Sequence, residues 1–116
     1  MGGEPARVDH APRFANEAER ECARLLEYYG VPWEYEPHTF ALAEDGERVT
    51  EAFTPDFYLP EQDLFLEITV MNQRLVTRKN RKLRKLRERY PGVQVKLFYK
   101  RDIERLAQRY RFDLAS

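Results

Sequence analysis

Thr54-Pro55-Asp56-Phe57-Tyr58-Leu59-Pro60 is followed, after Glu61 to Asp63, by Leu64-Phe65-Leu66-Glu67-Ile68-Thr69-Val70. Both stretches are apolar and rich in β-forming residues, each carries one acid, and the loop between them is short and polar. Side chains alternate along a strand. In the second stretch Leu64, Leu66, Ile68 and Val70 therefore share one face, and Phe65, Glu67, Thr69 and Met71 share the other. If the two stretches are strands of one sheet, the carboxylates of Asp56 and Glu67 can converge on one side of it. An acid inside an apolar strand is costly unless it is paired or bound to a metal. A strand-end glutamate that reaches solvent or a helix base is the plainer reading of Glu67 alone. With Asp56 beside it, the pair makes an oxygen site for a hard divalent cation, the carboxyl groups standing within about 5–6 Å of each other.

The elements around this core follow from periodicity and punctuation. Asn16 to Tyr29 reads as a helix, with Ala15, Ala18, Cys22, Leu25, Leu26 and Tyr29 recurring at helical spacing. Asn16 and Glu19 have capping-box spacing, Gly30 supplies a stop and Pro32 prevents continuation. Trp33 to Leu42 reads as a strand, Glu44-Asp45-Gly46-Glu47 as a hairpin turn, and Val49 to Leu59 as the returning strand with Pro55 at an edge or bulge. Leu64 to Met71 is the third and most apolar strand. A helix from about Val76 to Arg89, stopped by Pro91-Gly92, leads to a fourth strand at Val93 to Tyr99 and a last helix at Asp102 to Tyr110. The order α-β-β-β-α-β-α predicts an α/β protein with a mixed sheet. The first three strands form an antiparallel meander, and a right-handed crossover makes the last pair parallel.

Composition sets the outer limits. A chain of 116 residues, 42% hydrophobic and 13% aromatic, is sized for one globular domain, here residues 14–116 behind a flexible N-terminal arm at 1–13. The lone Cys22 leaves no disulfide framework and fits a reducing cytoplasm. No stretch is long and apolar enough to span a membrane, and the N-terminus does not read as a signal peptide. The net charge of zero conceals a polarity: residues 1–73 hold 16 acids and 5 bases, whereas residues 74–89 hold 9 bases and one acid. A basic helix of this kind suits a polyanionic partner; a solvated face, or one neutralised across the fold, is the alternative.

The residues Pro55-Asp56, then Glu67-Ile68-Thr69, within this element order, resemble the PD-(D/E)xK nuclease superfamily, with its restriction-endonuclease-like fold. The likeness runs from Asn16 to Tyr99. The phrase Pro-Asp-Phe-x-Leu-Pro and a helix glutamate before the sheet are similar to the small members related to very short patch repair endonucleases. The resemblance implies hydrolysis of DNA phosphodiesters, with Mg²⁺ or Mn²⁺ held by Asp56, Glu67 and the backbone carbonyl of Ile68. It also implies that Glu19 corresponds to the family's helix carboxylate; a capping box explains the same residue. Enzymes that cut duplex DNA often pair as homodimers to reach both strands, although no dimer surface is readable in this chain.

One position departs from the family. Thr69 stands where the lysine belongs, and a threonine cannot stabilise developing negative charge as an ammonium does. Helical phase supplies a candidate. At 100° per residue Val76, Lys79, Leu83, Leu86 and Tyr90 share the face that packs on the sheet. Lys79, in the first turns of that helix, needs an anionic partner such as Glu67 or Asp56; Lys82, at the edge of the stripe, is the second choice. Arg74, Arg78, Arg81, Lys82 and Lys85 are the candidates for phosphate contacts, with Gln73 and Thr77 near the helix start. Glu36 is a peripheral acid, and a lone His38 reads as structural. Trp33, Tyr35, Phe40, Phe53, Phe57 and Tyr58 read mainly as core. Besides a nuclease, the pattern fits a nucleic-acid-binding module that has lost catalysis, or a protein-interaction domain whose basic helix docks an acidic partner.

Overall fold

The structure, a computed structural model, describes residues 13–70, 73–99, 101–105 and 108. The expected arm, apart from Arg13, and the end of the last helix lie outside the described residues. Helix α1 (Glu17–Tyr28) starts where the Asn16 side chain accepts the Glu19 N–H at 2.9 Å. Glu17 and Glu19 in its first turn suit the positive end of the helix. It ends at Gly30, whose φ of +69° is readily adopted only without a Cβ.

The expected first strand divides in two. Glu36 takes a left-handed φ of +47°, and its N–H bonds to the carbonyl of Asp56 at 2.8 Å. This break, followed by Pro37, separates β1 (Glu34–Tyr35) from β2 (Phe40–Asp45). The expected second strand divides as well, at Thr54-Pro55, into β3 (Arg48–Phe53) and β4 (Phe57–Leu59). Pro55 has no N–H for a ladder, and the chain uses the gap to change sheets. So β2 and β3 form a separate two-stranded antiparallel hairpin, turned at Gly46, while β1, β4, β5 (Leu64–Thr69) and β6 (Val95–Tyr99) form a four-stranded sheet in that order. The meander expected of the first three strands is thus replaced by β1, β4 and β5, each antiparallel to the next.

Helix α2 (Gln73–Arg89) begins three residues before the expected start and carries the chain across to β6, which lies parallel to β5 with Glu67 opposite Leu97. Residues 101–105 are helical again. Two apolar clusters cover the two sides of the main sheet. Leu66, Ile68, Phe57 and Leu59 pack with Cys22, Ala23 and Leu25 of α1 and with Ile103. On the other side Val95 packs with Leu83 and Leu86 of α2 and with Phe40, Leu42 and Phe53 of the hairpin; Phe65 and Leu97 border this cluster. Strand β5 has neighbours on both edges, and Leu66, Glu67, Ile68 and Thr69 are all buried. The fold is therefore a mixed α/β arrangement: a four-stranded mixed sheet, a two-stranded sheet and helices. Among the described residues no helix is long and apolar enough to cross a membrane.

Candidate functional site

The register of β4 on β5 pairs Phe57 with Leu66. Asp56 and Glu67 are the residues next to that last ladder pair, and side-chain-to-backbone hydrogen bonds join them across it. Backbone hydrogen bonds orient both carboxylates. The Ile68 N–H donates to Asp56 Oδ2 at 2.8 Å, and the Asp56 N–H donates to Glu67 Oε1 at 3.2 Å. Asp56 is 7% exposed and Glu67 5% exposed. Burial, then the charge of Glu67, pushes the Asp56 carboxyl far above the usual range; burial also raises Glu67. Two adjacent acids withdrawn from water cannot both ionise at low cost.

Lys79 reaches this pair from α2. Its Nζ lies 2.8 Å from Glu67 Oε2 and donates to the carbonyl oxygen of Ile68 at 2.7 Å. Val76 is half-buried, and Leu83 and Leu86, further along the same face, are fully buried, so the helix is anchored around the lysine. Thr69, two residues beyond Glu67 on the same face of β5, is completely buried. Among the described residues its Oγ1 is the buried side-chain polar atom left without a hydrogen bond.

Glu19 lies in α1 and is 4% exposed. Its Oε1 accepts the Tyr35 O–H at 2.6 Å and the Ala15 N–H at 2.9 Å. It does not converge with Asp56 and Glu67 on one point: among the described residues no three His, Cys, Asp or Glu side chains are placed to hold a metal together. Its charge still acts on Asp56 and on the Cys22 thiol, which burial first, then Asp56 and Glu19, push up to about 12. Three acids are thus buried in this part of the fold, and Lys79 contacts one of them, Glu67. Neutralising such a cluster needs further positive charge or a retained proton. Two carboxylates and a backbone carbonyl are hard oxygen donors, and Mg²⁺ commonly keeps several waters beside one or two carboxylates. The donor set therefore fits a Mg²⁺ or Mn²⁺ ion, provided the ion competes with Lys79 for Glu67 and Ile68.

The remaining bases of α2 divide by direction. Lys82 donates to the Ala52 carbonyl, Lys85 pairs with Glu51 at 2.7 Å, and Arg89 pairs with Glu44, so all three clasp the hairpin. Arg87 donates to the Val95 carbonyl. Arg74, Thr77, Arg78 and Arg81 instead line an open concavity on the helix. Of the five bases expected to meet phosphate, Arg74, Arg78 and Arg81 share this surface, whereas Lys82 and Lys85 are engaged by β3. Glu36 and His38 are exposed; His38 stacks edge-on against Phe40. Phe57 is wholly buried and Tyr58 packs on Phe65. The Tyr35–Glu19 bond, the Lys79–Ile68 bond and the orphaned Thr69 hydroxyl had no signal in spacing or composition.

Compared with protein-family models, curated proteins and solved structures, the chain finds no match.

Proposed function

We propose that the chain is a metal-dependent endonuclease of restriction-endonuclease-like architecture that hydrolyses DNA phosphodiester bonds. The observation that carries this reading is the meeting of Asp56, Glu67 and Lys79 at the β4–β5 junction, two opposed buried acids with an ammonium from the crossover helix. Asp56, Glu67 and the Ile68 carbonyl would hold Mg²⁺ or Mn²⁺, which when bound supplies polarisation of a phosphate and a more acidic water. The chain's own residues do the rest. Asp56 and Glu67 are each oriented by a backbone N–H group. Lys79 brings the positive charge that Thr69 cannot: without metal it rests on Glu67 and the Ile68 carbonyl, and with those oxygens taken by an ion it would be free to face the phosphate beside them. Arg74, Arg78 and Arg81 offer a cationic surface for the substrate backbone on the same helix. Glu19, held by Tyr35 and Ala15, contributes negative potential next to Asp56 rather than a ligand. A cytoplasmic location agrees with the single buried thiol.

A second reading has one specific observation in its favour. Lys79 is already bonded to two of the three oxygens assigned to the ion, so the same fold can persist as a metal-free nucleic-acid-binding module. Incubation of purified protein with single-stranded, duplex, mismatched and branched DNA, with Mg²⁺ or Mn²⁺ and with EDTA, separates the two. Cleavage that needs metal and is absent from Glu67→Gln supports the nuclease. Salt-dependent binding without cleavage under any metal supports the module. Neither cleavage nor binding would leave a protein-interaction domain as the better description.

A further inference from the structure

Lys79 Nζ stands 2.8 Å from Glu67 Oε2 and 2.7 Å from the Ile68 carbonyl oxygen. A divalent ion bound by those oxygens would lie about 2.0–2.6 Å from each. The ammonium therefore draws on the same lone pairs and the same small volume. We propose that Lys79 is a tethered counter-cation that holds the acid pair in the metal-free protein and is displaced when a divalent ion binds. This rests on the metal reading above and adds to it how the site is loaded.

Three features make the exchange local. Glu67 is withdrawn from solvent and its other oxygen is tied to the Asp56 N–H, so the carboxylate is the fixed partner. The Lys79 side chain keeps 25% of its surface exposed, so the lysine has the route out. Leu83 and Leu86 pin α2 in the core, so the swap is a change of lysine rotamer with the helix in place. In the absence of metal the ammonium prevents two buried acids from facing each other without any cation. The cost of releasing it lowers the apparent affinity for the ion by the fraction of time the lysine is out. Ions that gain little from carboxylate and carbonyl oxygens are thereby kept from the site.

Residue-resolved acetylation of the unaltered protein tests this, with EDTA or with saturating Mg²⁺, alongside calorimetric titration of Mn²⁺ into wild type and Lys79→Met. Mg²⁺ is expected to raise acetylation of Lys79 several-fold while leaving the exposed Lys96 unchanged. Lys79→Met, which keeps the apolar stem, is expected to bind Mn²⁺ about tenfold or more tightly, as loss of a charge-assisted bond to the resident cation predicts. Metal binding to wild type with Lys79 still protected, or weaker binding by Lys79→Met, overturns the displacement and leaves the metal site standing. No Mn²⁺ binding by either protein overturns both. The labelling arm uses no variant, so it decides the question even if Lys79→Met fails to fold.

Discussion

The Glu67 carboxylate accepts the backbone N–H of Asp56, and the Asp56 carboxylate accepts the N–H of Ile68, the residue that follows Glu67. Each acid is thus held by the strand that carries the other. Asp56 directly precedes β4 and Glu67 lies in β5, and neither carboxylate can turn away without giving up a backbone N–H.

Glu67→Gln keeps an oxygen for the Asp56 N–H but removes the charge. It is expected to abolish metal-dependent cleavage while the protein still folds. Glu67→Ala strips the partner from a buried N–H and from Lys79, and is expected to cost about 1–3 kcal/mol. Urea melts of both variants beside a plasmid-nicking assay check this; an active Glu67→Gln would remove the carboxylate pair from the chemistry.

The metal-free protein is expected to lose stability as pH rises. The Asp56 carboxyl titrates at about 8 in the fold, through burial and then the charge of Glu67, and near 3.9 when unfolded. Below pH 4 both states hold the proton and the contribution is complete. Between about 4 and 8 the unfolded chain releases the proton first and gains relative to the fold, and above 8 the contribution is gone. Urea titrations in EDTA across this range should show the decline, and Asp56→Asn should flatten it. A stability that climbs through the window in wild type would contradict the assignment.

The division of α2 predicts two kinds of arginine and lysine variant. Arg78→Ala and Arg81→Ala should each weaken nucleic-acid binding and lower the salt slope by about one. Lys85→Ala, which loses its Glu51 partner on the hairpin, should lower the melting temperature slightly and leave the salt slope as it was. Equal slopes for all three variants would mean that the helix does not present one binding face.

Tyr35→Phe removes the 2.6 Å hydrogen bond to the buried Glu19 carboxylate. A hydrogen bond to a charged group contributes about 1.5–3 kcal/mol, so the variant should unfold at correspondingly lower urea. Cleavage should persist if Glu19 acts through its charge rather than through the tyrosine.

Much of the site was legible because it depends on local periods. Strand alternation puts Glu67 and Thr69 on one face of β5, and helical phase aims Lys79 at that face. The parallel β5–β6 pair follows from the handedness of a helical crossover. What could not be read depends on tertiary decisions. A single left-handed residue, Glu36, ends β1 early, and Thr54-Pro55 lets β3 and β4 join different sheets. Whether Lys82 and Lys85 face solvent or the hairpin is undecided until the hairpin has a place. The Tyr35–Glu19 bond joins residues sixteen positions apart whose meeting no pattern encodes.

The hairpin leans on a helix that the ribosome makes after it. Phe40, Leu42 and Phe53 share their apolar cluster with Leu83 and Leu86, and Tyr90 donates to the Ala41 carbonyl. At ordinary synthesis rates the stretch from Phe53 to Leu86 takes on the order of seconds to emerge. Through that interval the apolar side of β2 and β3 has no cover from its final neighbour. The nascent chain therefore passes through a sticky stage that the finished protein never shows, and the charged residues Glu44, Asp45, Glu47 and Arg48 at the hairpin tip are well placed to keep it in solution.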